Sequence, residues 1–271
     1  MRRPILFRFL PPRLKAMIFY RWYRVRWDKW APLFEKASLD FAPGMAMHLL
    51  VPGDIISGSI AFTGHYELDL SRRMKRLANR GGVMVDIGAN MGYFSLLWAG
   101  LNPLNRVVAF EAAPRNIELL RNNVLQNALS DRIMVVPKAA GMSNGTLAFD
   151  FGPPDQTGWG GAAEIGSSIA VDVPLVRLDA ELVQMKIDVL KIDVEGADTW
   201  VLFGCEKLIR KQLIGTIFFE QNLPRMEKLG VSPGDAQEFL RAHGYTCVPL
   251  NDSETEWMAY PAAGTGNLQA G

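Results

Sequence analysis

The stretch Val83-Met84-Val85-Asp86-Ile87-Gly88-Ala89-Asn90-Met91-Gly92 decides how the rest of the chain is organised. Its first five residues form a short apolar run that is rich in β-branched side chains, which is typical of a strand buried on both faces of a parallel sheet. Gly88 and Gly92 end this run, and the apolar residues that follow have the length of a helix. The pattern therefore predicts a tight strand-to-helix turn in which a ligand can approach bare backbone.

The spacing inside this turn favours one class of nucleotide ligand. A dinucleotide fingerprint requires glycines in the order G-x-G-x-x-G, whereas Asn90 occupies the second of those positions here. The turn suits S-adenosylmethionine better, because that molecule has a zwitterionic amino-acid end for a carboxylate and backbone groups, and no pyrophosphate to place at a helix N-terminus. Asp86, Gly88, Asn90 and Gly92 are the predicted cofactor contacts. A purely structural turn is the alternative.

Beyond the turn, strand and helix patterns alternate, which predicts a doubly wound α/β sheet. Three of the predicted strands end in an acid, namely Asp86, Glu111 and Asp193. Because crossovers are right-handed and the winding reverses beside the first strand, we expect the three carboxylates at one crevice. Residues 145–152 and 170–178 alternate apolar and polar side chains around a Gly-rich loop, which predicts an antiparallel excursion that faces the substrate.

Composition sets the size and the compartment. The chain has 271 residues, of which 49% are hydrophobic, and this is enough for one large α/β core. Its two cysteines, Cys205 and Cys247, form no C-x-x-C motif, which favours a reducing compartment. The sequence contains neither a run of about 18 apolar residues nor the pattern of a signal peptide. We therefore expect a cytoplasmic protein.

The first thirty residues differ in charge from the rest. Residues 1–30 carry nine Lys or Arg and one acid, whereas the remaining residues carry twenty basic and twenty-seven acidic side chains. This basic arm is also rich in Trp, Tyr and Phe, as is typical of a helix that lies in a membrane interface. A terminal helix that packs its aromatic side chains on an acidic body has the same composition, so both interpretations stay open. Nucleic acid is not expected, because the rest of the chain is acidic and carries no recognition motif.

The segments that flank these motifs give weaker signals. Residues 31–64 contain several prolines and glycines, which predict irregular structure with a short hairpin that acts as a collar. A helix is predicted over 66–79, with His65 at its entry near the ligand. A second helix is predicted over 232–243, with Ser232 as its cap and Pro233 at its first position.

Four blocks of the sequence resemble the FkbM-type S-adenosylmethionine-dependent methyltransferases. They begin at Asp86 (DIGANMGYFS), Ala109 (AFEAAPRN), Lys191 (KIDVEGAD) and Phe218 (FFE). The resemblance implies a Rossmann-like methyltransferase fold, in which a mostly parallel seven-stranded sheet with one antiparallel strand has helices on both faces; the basic arm is expected as a helical appendage. It also implies methylation of a hydroxyl on a small molecule, sugar or glycan. Carried over residue by residue, Asp86, Gly88 and Asn90 line the methionine end of S-adenosyl-L-methionine, and Glu111 holds its ribose.

The predicted organisation has three parts. Residues 1–63 form the arm and collar, residues 64–261 form the methyltransferase domain, and residues 262–271 form a flexible tail. Two rival functions remain at this stage. One is a methyltransferase-fold binding or membrane-docking module without turnover, and the other is a nicotinamide-dependent oxidoreductase.

Methylation of a hydroxyl also requires a group that removes its proton. Asp193 is the first candidate, because the strand that it ends is expected to flank the central one. Glu195 and His65 are the reserves. Paired acids also permit a divalent metal with Glu220 as a third ligand, but the cluster contains no histidine, and no metal is predicted.

Overall fold

The computed structural model describes residues 9–18, 21, 30–50, 54–164 and 170–262. The helices in these ranges are α1 (Pro12–Ile18), α2 (Pro32–Glu35), α3 (Ile55–Thr63), α4 (Leu68–Ala78), α5 (Tyr93–Leu101), α6 (Pro114–Gln126), α7 (Leu178–Glu181), α8 (Asp198–Gly204), α9 (Glu206–Arg210), α10 (Leu223–Leu229) and α11 (Asp235–Ala242). The strands are β1 (Ala37–Ser38), β2 (Ala46–Met47), β3 (Val83–Ile87), β4 (Arg106–Phe110), β5 (Ile133–Val136), β6 (Ala139–Ala140), β7 (Gly145–Asp150), β8 (Gly161–Ala162), β9 (Val171–Val176), β10 (Ile187–Ile192), β11 (Ile214–Glu220), β12 (Tyr245–Pro249) and β13 (Glu256–Pro261).

A seven-stranded sheet carries the fold, with the strand order β12-β13-β11-β10-β3-β4-β5. Strand β10 pairs in parallel with β3 and β11, and β4 pairs in parallel with β5. Strand β13 runs antiparallel to both β11 and β12. Residues 84–87 and 189–192 are buried without alternation, as expected for strands covered on both faces. The sheet confirms the predicted α/β class and the Rossmann-like methyltransferase architecture.

A smaller sheet is inserted in the chain between β5 and β10. Its four strands have the order β6-β9-β7-β8, and β7 pairs antiparallel with both β9 and β8. The antiparallel pairing of the predicted excursion is therefore confirmed, and its role facing the substrate stays a prediction. Of the Gly-rich loop inside it, residues 165–169 lie outside the described part of the chain.

Helix α3 corrects the prediction of irregular structure over residues 31–64. Seven of its residues are buried, so the helix has no polar face whose period would reveal it in the sequence. Its β-branched residues and Gly58 also lower the intrinsic helix propensity. The carboxylate of Asp54 caps the helix by accepting a hydrogen bond from the amide of Ser57 at 2.8 Å. The expected hairpin in this region exists as the antiparallel pair β1 and β2.

The predicted helix starts at residues 66 and 232 are wrong by a few residues. Helix α4 begins at Leu68, because Glu67 has a left-handed backbone with φ 42°. Helix α11 begins at Asp235 after Gly234, which has φ 98°, and the carbonyl of Ser232 accepts the amide of Asp235 in a preceding turn. Ser232 and Pro233 therefore precede this helix.

The chain divides into two compact units. One contains the described residues of Met1–Gly82, Ala89–Pro137 and Phe151–Trp159, and the other those of Val83–Gly88, Lys138–Asp150 and Gly160–Gly271. The domain boundaries predicted at residues 63 and 261 stay a prediction, and residues 263–271 of the predicted tail lie outside the described residues. Within the described ranges, no helix combines the length and the apolar character needed to span a bilayer.

Helix α1 is the described part of the basic arm, and it packs against α3. Lys15 on this helix is only 6% exposed and forms an ion pair with Asp40. A buried ion pair of this kind holds α1 on the body, as the packing interpretation expects. Most of the arm's aromatic residues lie outside the described ranges, namely Phe7, Phe19, Tyr20, Trp22, Tyr23 and Trp27. Membrane contact through residues 1–30 stays a prediction.

Candidate functional site

The turn after β3 lies against the end of β10. Gly88 has φ 72°, and a Cβ built on it would be 2.0 Å from the backbone carbonyl oxygen of Asp193. The amide of Asp193 also donates a hydrogen bond to the carbonyl of Ile87 at 3.1 Å. Only glycine combines this backbone conformation with so close an approach. The glycine that the sequence places in a ligand turn thus also has a packing reason to be there.

Glu111 and Asn90 are brought together by a backbone hydrogen bond. The Oε2 atom of Glu111 accepts the amide of Asn90 at 2.8 Å, and its Oε1 atom accepts the amides of Ala112 and Ala113 at 3.0 and 2.8 Å. Glu111 is only 6% exposed. Glu111 therefore joins the loop that follows β4 to the turn that follows β3.

Helix α5 starts directly behind this pair. Gly92 is its N-terminal flanking residue, and a Cβ at this position would be 2.5 Å from Cδ1 of Leu120 on α6. The side chain of Asn90 accepts the amide of Met91 at 2.8 Å, which closes the turn internally. The structure therefore places the predicted Asn90 and Gly92 in a turn whose backbone is fixed by local contacts.

A segment from the small excursion reaches the same turn. We call residues 151–159 the strap. Arg115 donates to the carbonyl of Gln156 at 2.7 Å, Asn116 donates to the carbonyl of Thr157 at 2.9 Å, and Asp54 accepts the amide and hydroxyl of Thr157 at 2.8 and 3.0 Å. Gly158 follows, and a Cβ on it would be 3.9 Å from Nδ2 of Asn90. These buried bonds fix the strap beside the turn that Glu111 contacts.

A buried lysine separates two of the predicted acids. Lys191 is 3% exposed, and its Nζ is 3.1 Å from Oδ2 of Asp193 and 3.7 Å from Oδ1 of the fully buried Asp86. Charged groups in a protein interior are stable only when they are paired, and here one ammonium serves two carboxylates. Lys191 was not among the site residues predicted from the sequence. A lysine inside an otherwise buried strand could have indicated it, because a buried ammonium requires an acidic partner.

Glu195 adopts a left-handed backbone with φ 55° in the turn after β10. Its Oε2 accepts Nδ2 of Asn222 at 2.9 Å and lies 4.0 Å from Nε of Arg225. Burial, followed by the charge of Asp193, raises the pKa of Glu195 to about 7. Asn222 and Arg225 belong to the start of α10, far from Glu195 in sequence, and no motif marks them.

Asp198 stabilises the turn after β10 by accepting two backbone amides. It is 2% exposed, and its two oxygens accept the amides of Val194 at 3.3 Å and Glu220 at 3.0 Å. Burial raises the pKa of Asp198 to about 7. The residue joins the loop after β10 to the end of β11. It is the buried acid of the KIDVEGAD block, and it was not among the site residues predicted from the sequence.

His65 lies in the interior of its own unit. It is 2% exposed, its ring packs edge-on against Phe41 with centroids 5.8 Å apart, and its carbonyl accepts the hydroxyls of Ser59 and Thr63 at 3.1 and 2.9 Å. A role for His65 as a base stays a prediction. Among the described residues, no group of three His, Cys, Asp or Glu side chains is arranged to hold a metal ion.

Comparison with known proteins places these features in a family. A family model described as the methyltransferase FkbM domain matches residues 86–247. The chain is 30% identical over 169 residues to methyltransferase sdnD of Sordaria araneosa, an alignment that covers 49% of this chain and 65% of sdnD. It is 28% identical over 202 residues to 31-O-demethyl-FK506 methyltransferase FkbM of Streptomyces tacrolimicus, which covers 64% of this chain and 75% of that protein.

A solved structure also matches. The crystal structure of methyltransferase FkbM from Methylobacillus flagellatus KT superposes with a TM-score of 0.46 at 16% identity, over 66% of this chain and 43% of that one. The chain thus spans less than two thirds of sdnD and less than half of this solved chain.

Proposed function

Because the chain belongs to the methyltransferase FkbM domain family, we propose that it transfers a methyl group from S-adenosyl-L-methionine to a hydroxyl of a small molecule, sugar or glycan. Family membership supports methyl transfer in general. The donor and the hydroxyl acceptor are the finer parts of the proposal. The name of the Streptomyces tacrolimicus relative, which specifies an oxygen as the methylated atom, is consistent with an O-methyltransferase.

The arrangement around Glu111 is the observation that carries the choice of donor. An acid at the end of a sheet strand, with the amide of Asn90 from the glycine turn on one oxygen and the amides of Ala112 and Ala113 on the other, is placed as for the two hydroxyls of a ribose. In this proposal Glu111 accepts the ribose hydroxyls, and Asp86, Gly88, Asn90 and Gly92 border the methionine end.

The bound donor supplies an electrophilic methyl group on a sulfonium. The residues of this chain have to hold the acceptor in line with that methyl, and orientation alone accounts for roughly 7–11 kcal/mol of barrier reduction in well-aligned reactions. Lys191 provides a counter-charge for the buried Asp86 and for the partly exposed Asp193. A basic group beside the acceptor completes the requirement.

Two measurements test the proposal. Calorimetry with S-adenosylhomocysteine should give binding and NAD should not, and S-adenosylhomocysteine should raise the thermal midpoint because it binds only the native state. Incubation with methyl-labelled S-adenosylmethionine and an extract fractionated into lipids, glycans and small metabolites should label one hydroxyl-bearing fraction. Stabilisation by NAD with none by S-adenosylhomocysteine would replace the methyltransferase proposal with the oxidoreductase one.

The same experiments separate an enzyme from a docking module. A binding module takes up S-adenosylhomocysteine but labels none of the fractions. We also propose peripheral membrane contact through residues 1–30, a proposal that rests on the basic and aromatic composition of that arm. Deletion of this arm should abolish sedimentation with anionic vesicles, since each basic residue near such a surface contributes about 1 kcal/mol. Full-length protein that stays in the supernatant would contradict membrane contact.

A further inference from the structure

Three acids lie in the turn after β10, and their partners differ. Asp198 is committed to two backbone amides, and Asp193 is paired with the buried ammonium of Lys191. Glu195 is held through Oε2 alone, by Asn222 at 2.9 Å and by Arg225 at 4.0 Å. Within the described residues, no hydrogen bond to its Oε1 is formed. The three carboxylates are therefore not equivalent candidates for proton transfer.

We propose that Glu195, rather than Asp193, accepts the proton of the acceptor hydroxyl, and that Asn222 positions it by holding Oε2 so that Oε1 is presented to the acceptor. This inference rests on the proposed methyltransferase function and deepens it. It reverses the order of candidates that the sequence favours.

The backbone at Glu195 supports a role beyond packing. A left-handed conformation costs a residue with a Cβ about 1–2 kcal/mol, and the turn is locked in this state by its neighbour. A Cβ on Gly196 would be 2.7 Å from Cβ of Arg225 and 3.0 Å from the amide nitrogen of Met226, so the turn is pressed against the start of α10. The strained geometry brings Glu195 to Asn222.

A structural role for Glu195 would leave different contacts. Helix capping requires a side-chain oxygen on a backbone amide. In the described part of the chain neither oxygen of Glu195 accepts one, and Asp198 takes the amide of Val194 instead. A strong ion pair would be bidentate and short, whereas the single Arg225 contact is 4.0 Å long.

Strand β8 covers the Cβ side of Glu195 without adding a titratable side chain. A Cβ on Gly161 would be 3.2 Å from Cβ of Glu195 and 3.4 Å from Nη1 of Arg225. Among the described residues, the charged groups that act on Glu195 are Asp193 and Arg225, and Lys191 pairs with Asp193. Burial and the neighbouring Asp193 raise the pKa of Glu195 to about 7. A base with a pKa near the working pH is both ionised and strong enough to accept a hydroxyl proton.

A lone pair of the acceptor oxygen forms the new bond to the methyl carbon, and the carbon–sulfur bonding pair returns to sulfur, which leaves as a neutral thioether. The hydroxyl proton moves to Oε1 of Glu195 and from there to water. No oxidant, reductant or metal is required.

The test uses the full-length chain, labelled S-adenosylmethionine and the fraction that the wild type labels. Glu195→Gln should lower turnover about 100-fold or more, whereas Asp193→Asn, which removes a charge beside Glu195 and leaves Glu195 itself in place, should lower it at least tenfold less. Calorimetry with S-adenosylhomocysteine should give affinities within about threefold of wild type for both variants. Glu195→Asp, which keeps a carboxylate one methylene shorter, provides the comparison if Glu195→Gln does not fold.

Asn222 gives the sharper control, because it also caps α10 by accepting the amide of Arg225. Asn222→Ser retains a capping hydroxyl but cannot reach Glu195. We expect about a tenfold to 100-fold loss of turnover. The acid limb of the turnover–pH profile should move to higher pH, since the lost hydrogen bond stabilised the anion. Asn222→Asp should move the acid limb further, because it adds a negative charge. The carboxyl ¹³C resonance of Glu195, identified by its absence from Glu195→Gln, should titrate at a higher pH in Asn222→Ser than in the wild type and at the highest pH in Asn222→Asp.

The outcomes separate the two levels of the proposal. Wild-type labelling together with a large loss in Asp193→Asn and little loss in Glu195→Gln overturns the assignment of the base but leaves the methyltransferase function intact. An unchanged pH profile in Asn222→Ser removes the positioning role. A wild type that neither binds S-adenosylhomocysteine nor labels any fraction overturns the proposed function itself.

Discussion

The raised pKa of Glu195 predicts that removing this charge stabilises the protein above neutral pH. Glu195 has a pKa near 4.5 when it is unfolded and about 7 when it is folded, because the fold buries it beside Asp193. A group whose pKa is raised by folding contributes stability below its unfolded pKa and loses it as the pH rises through the folded pKa. Glutamine cannot ionise, so Glu195→Gln avoids that loss.

The expected stability advantage of Glu195→Gln follows from the difference between the pKa of about 4.5 in the unfolded chain and about 7 in the folded one, because each pKa unit corresponds to 1.36 kcal/mol. The side chain of Glu195 is 27% exposed, so the shift belongs to a largely buried group. Linkage gives the variant an advantage of roughly 1 kcal/mol at pH 5 and roughly 3 kcal/mol at pH 8. The sign is unusual, since most substitutions of a hydrogen-bonded side chain destabilise. The stabilisation arises because the fold holds the carboxylate of Glu195 where burial and Asp193 disfavour its charged form.

Urea unfolding of both proteins at pH 5 and pH 8 measures this advantage directly, provided that the slope m is the same for both. Glu227→Gln on the exposed surface of α10 supplies the background for a change from glutamate to glutamine. The reasoning is refuted if the advantage of Glu195→Gln is equal at the two pH values. It is also refuted if the advantage falls with rising pH, because that would identify Glu195 as an ordinary ion-pair partner of Arg225.

Three further predictions concern the neighbouring groups. Gly88→Ala and Gly230→Ala share a left-handed backbone, with φ 72° and 68°, but a Cβ meets the Asp193 carbonyl only at Gly88; the Gly88 variant should therefore lose about 1–3 kcal/mol more, and equal melting temperatures would contradict the packing of this turn. Lys191→Met removes the ammonium beside the buried Asp86 and the partly exposed Asp193 and should cost about 3–5 kcal/mol in urea unfolding, whereas the exposed Lys228→Met should cost under about 1 kcal/mol. A Lys191 variant as stable as that control would show that the buried charges are not coupled. Glu111→Gln should weaken S-adenosylhomocysteine binding by about 1.5–3 kcal/mol in calorimetry, because it removes a charged acceptor; unchanged affinity would exclude Glu111 from the ligand site.

The strands that end in acids were predictable because local signals mark them on both sides. Strand β3 has the predicted bounds, because an apolar run meets a glycine turn there, and β4 ends directly before the predicted acid Glu111. Helix α3 was not predictable in this way, because its buried residues include serine and threonine as well as apolar side chains, so no polar face marks its period. Its cap also gains part of its order from Thr157, about a hundred residues away. Local pattern reports a helix only when the helix has two different faces.

In the site, too, contacts that follow from local motifs were predictable, whereas contacts between residues distant in sequence were not. The grouping of Asn90 with Glu111 follows from strand order and turn spacing, and the sequence predicts it. The partners of Glu195 do not follow, because Asn222 is 27 residues further along the chain and carries no motif. The sequence favours Asp193 over Glu195 as the base, because Asp193 stands at the end of its strand. Only the contact with Lys191 shows that Asp193 is already paired.

The block from Lys191 to Asp198 combines charged residues with different roles within eight residues. Lys191 pairs with Asp193, and Asp198 accepts two backbone amides that join the loop after β10 to the end of β11. Folding makes both Asp198 and Glu195 harder to ionise, but Glu195 also adds backbone strain and, among the described residues, accepts no backbone amide in return. A chain selected only for stability would have no reason to keep a glutamate at that position, because glutamine relieves the cost of the charge and glycine relieves both costs. The contrast between Glu195 and its two neighbours therefore favours proton transfer, rather than structural support, as the work of this residue.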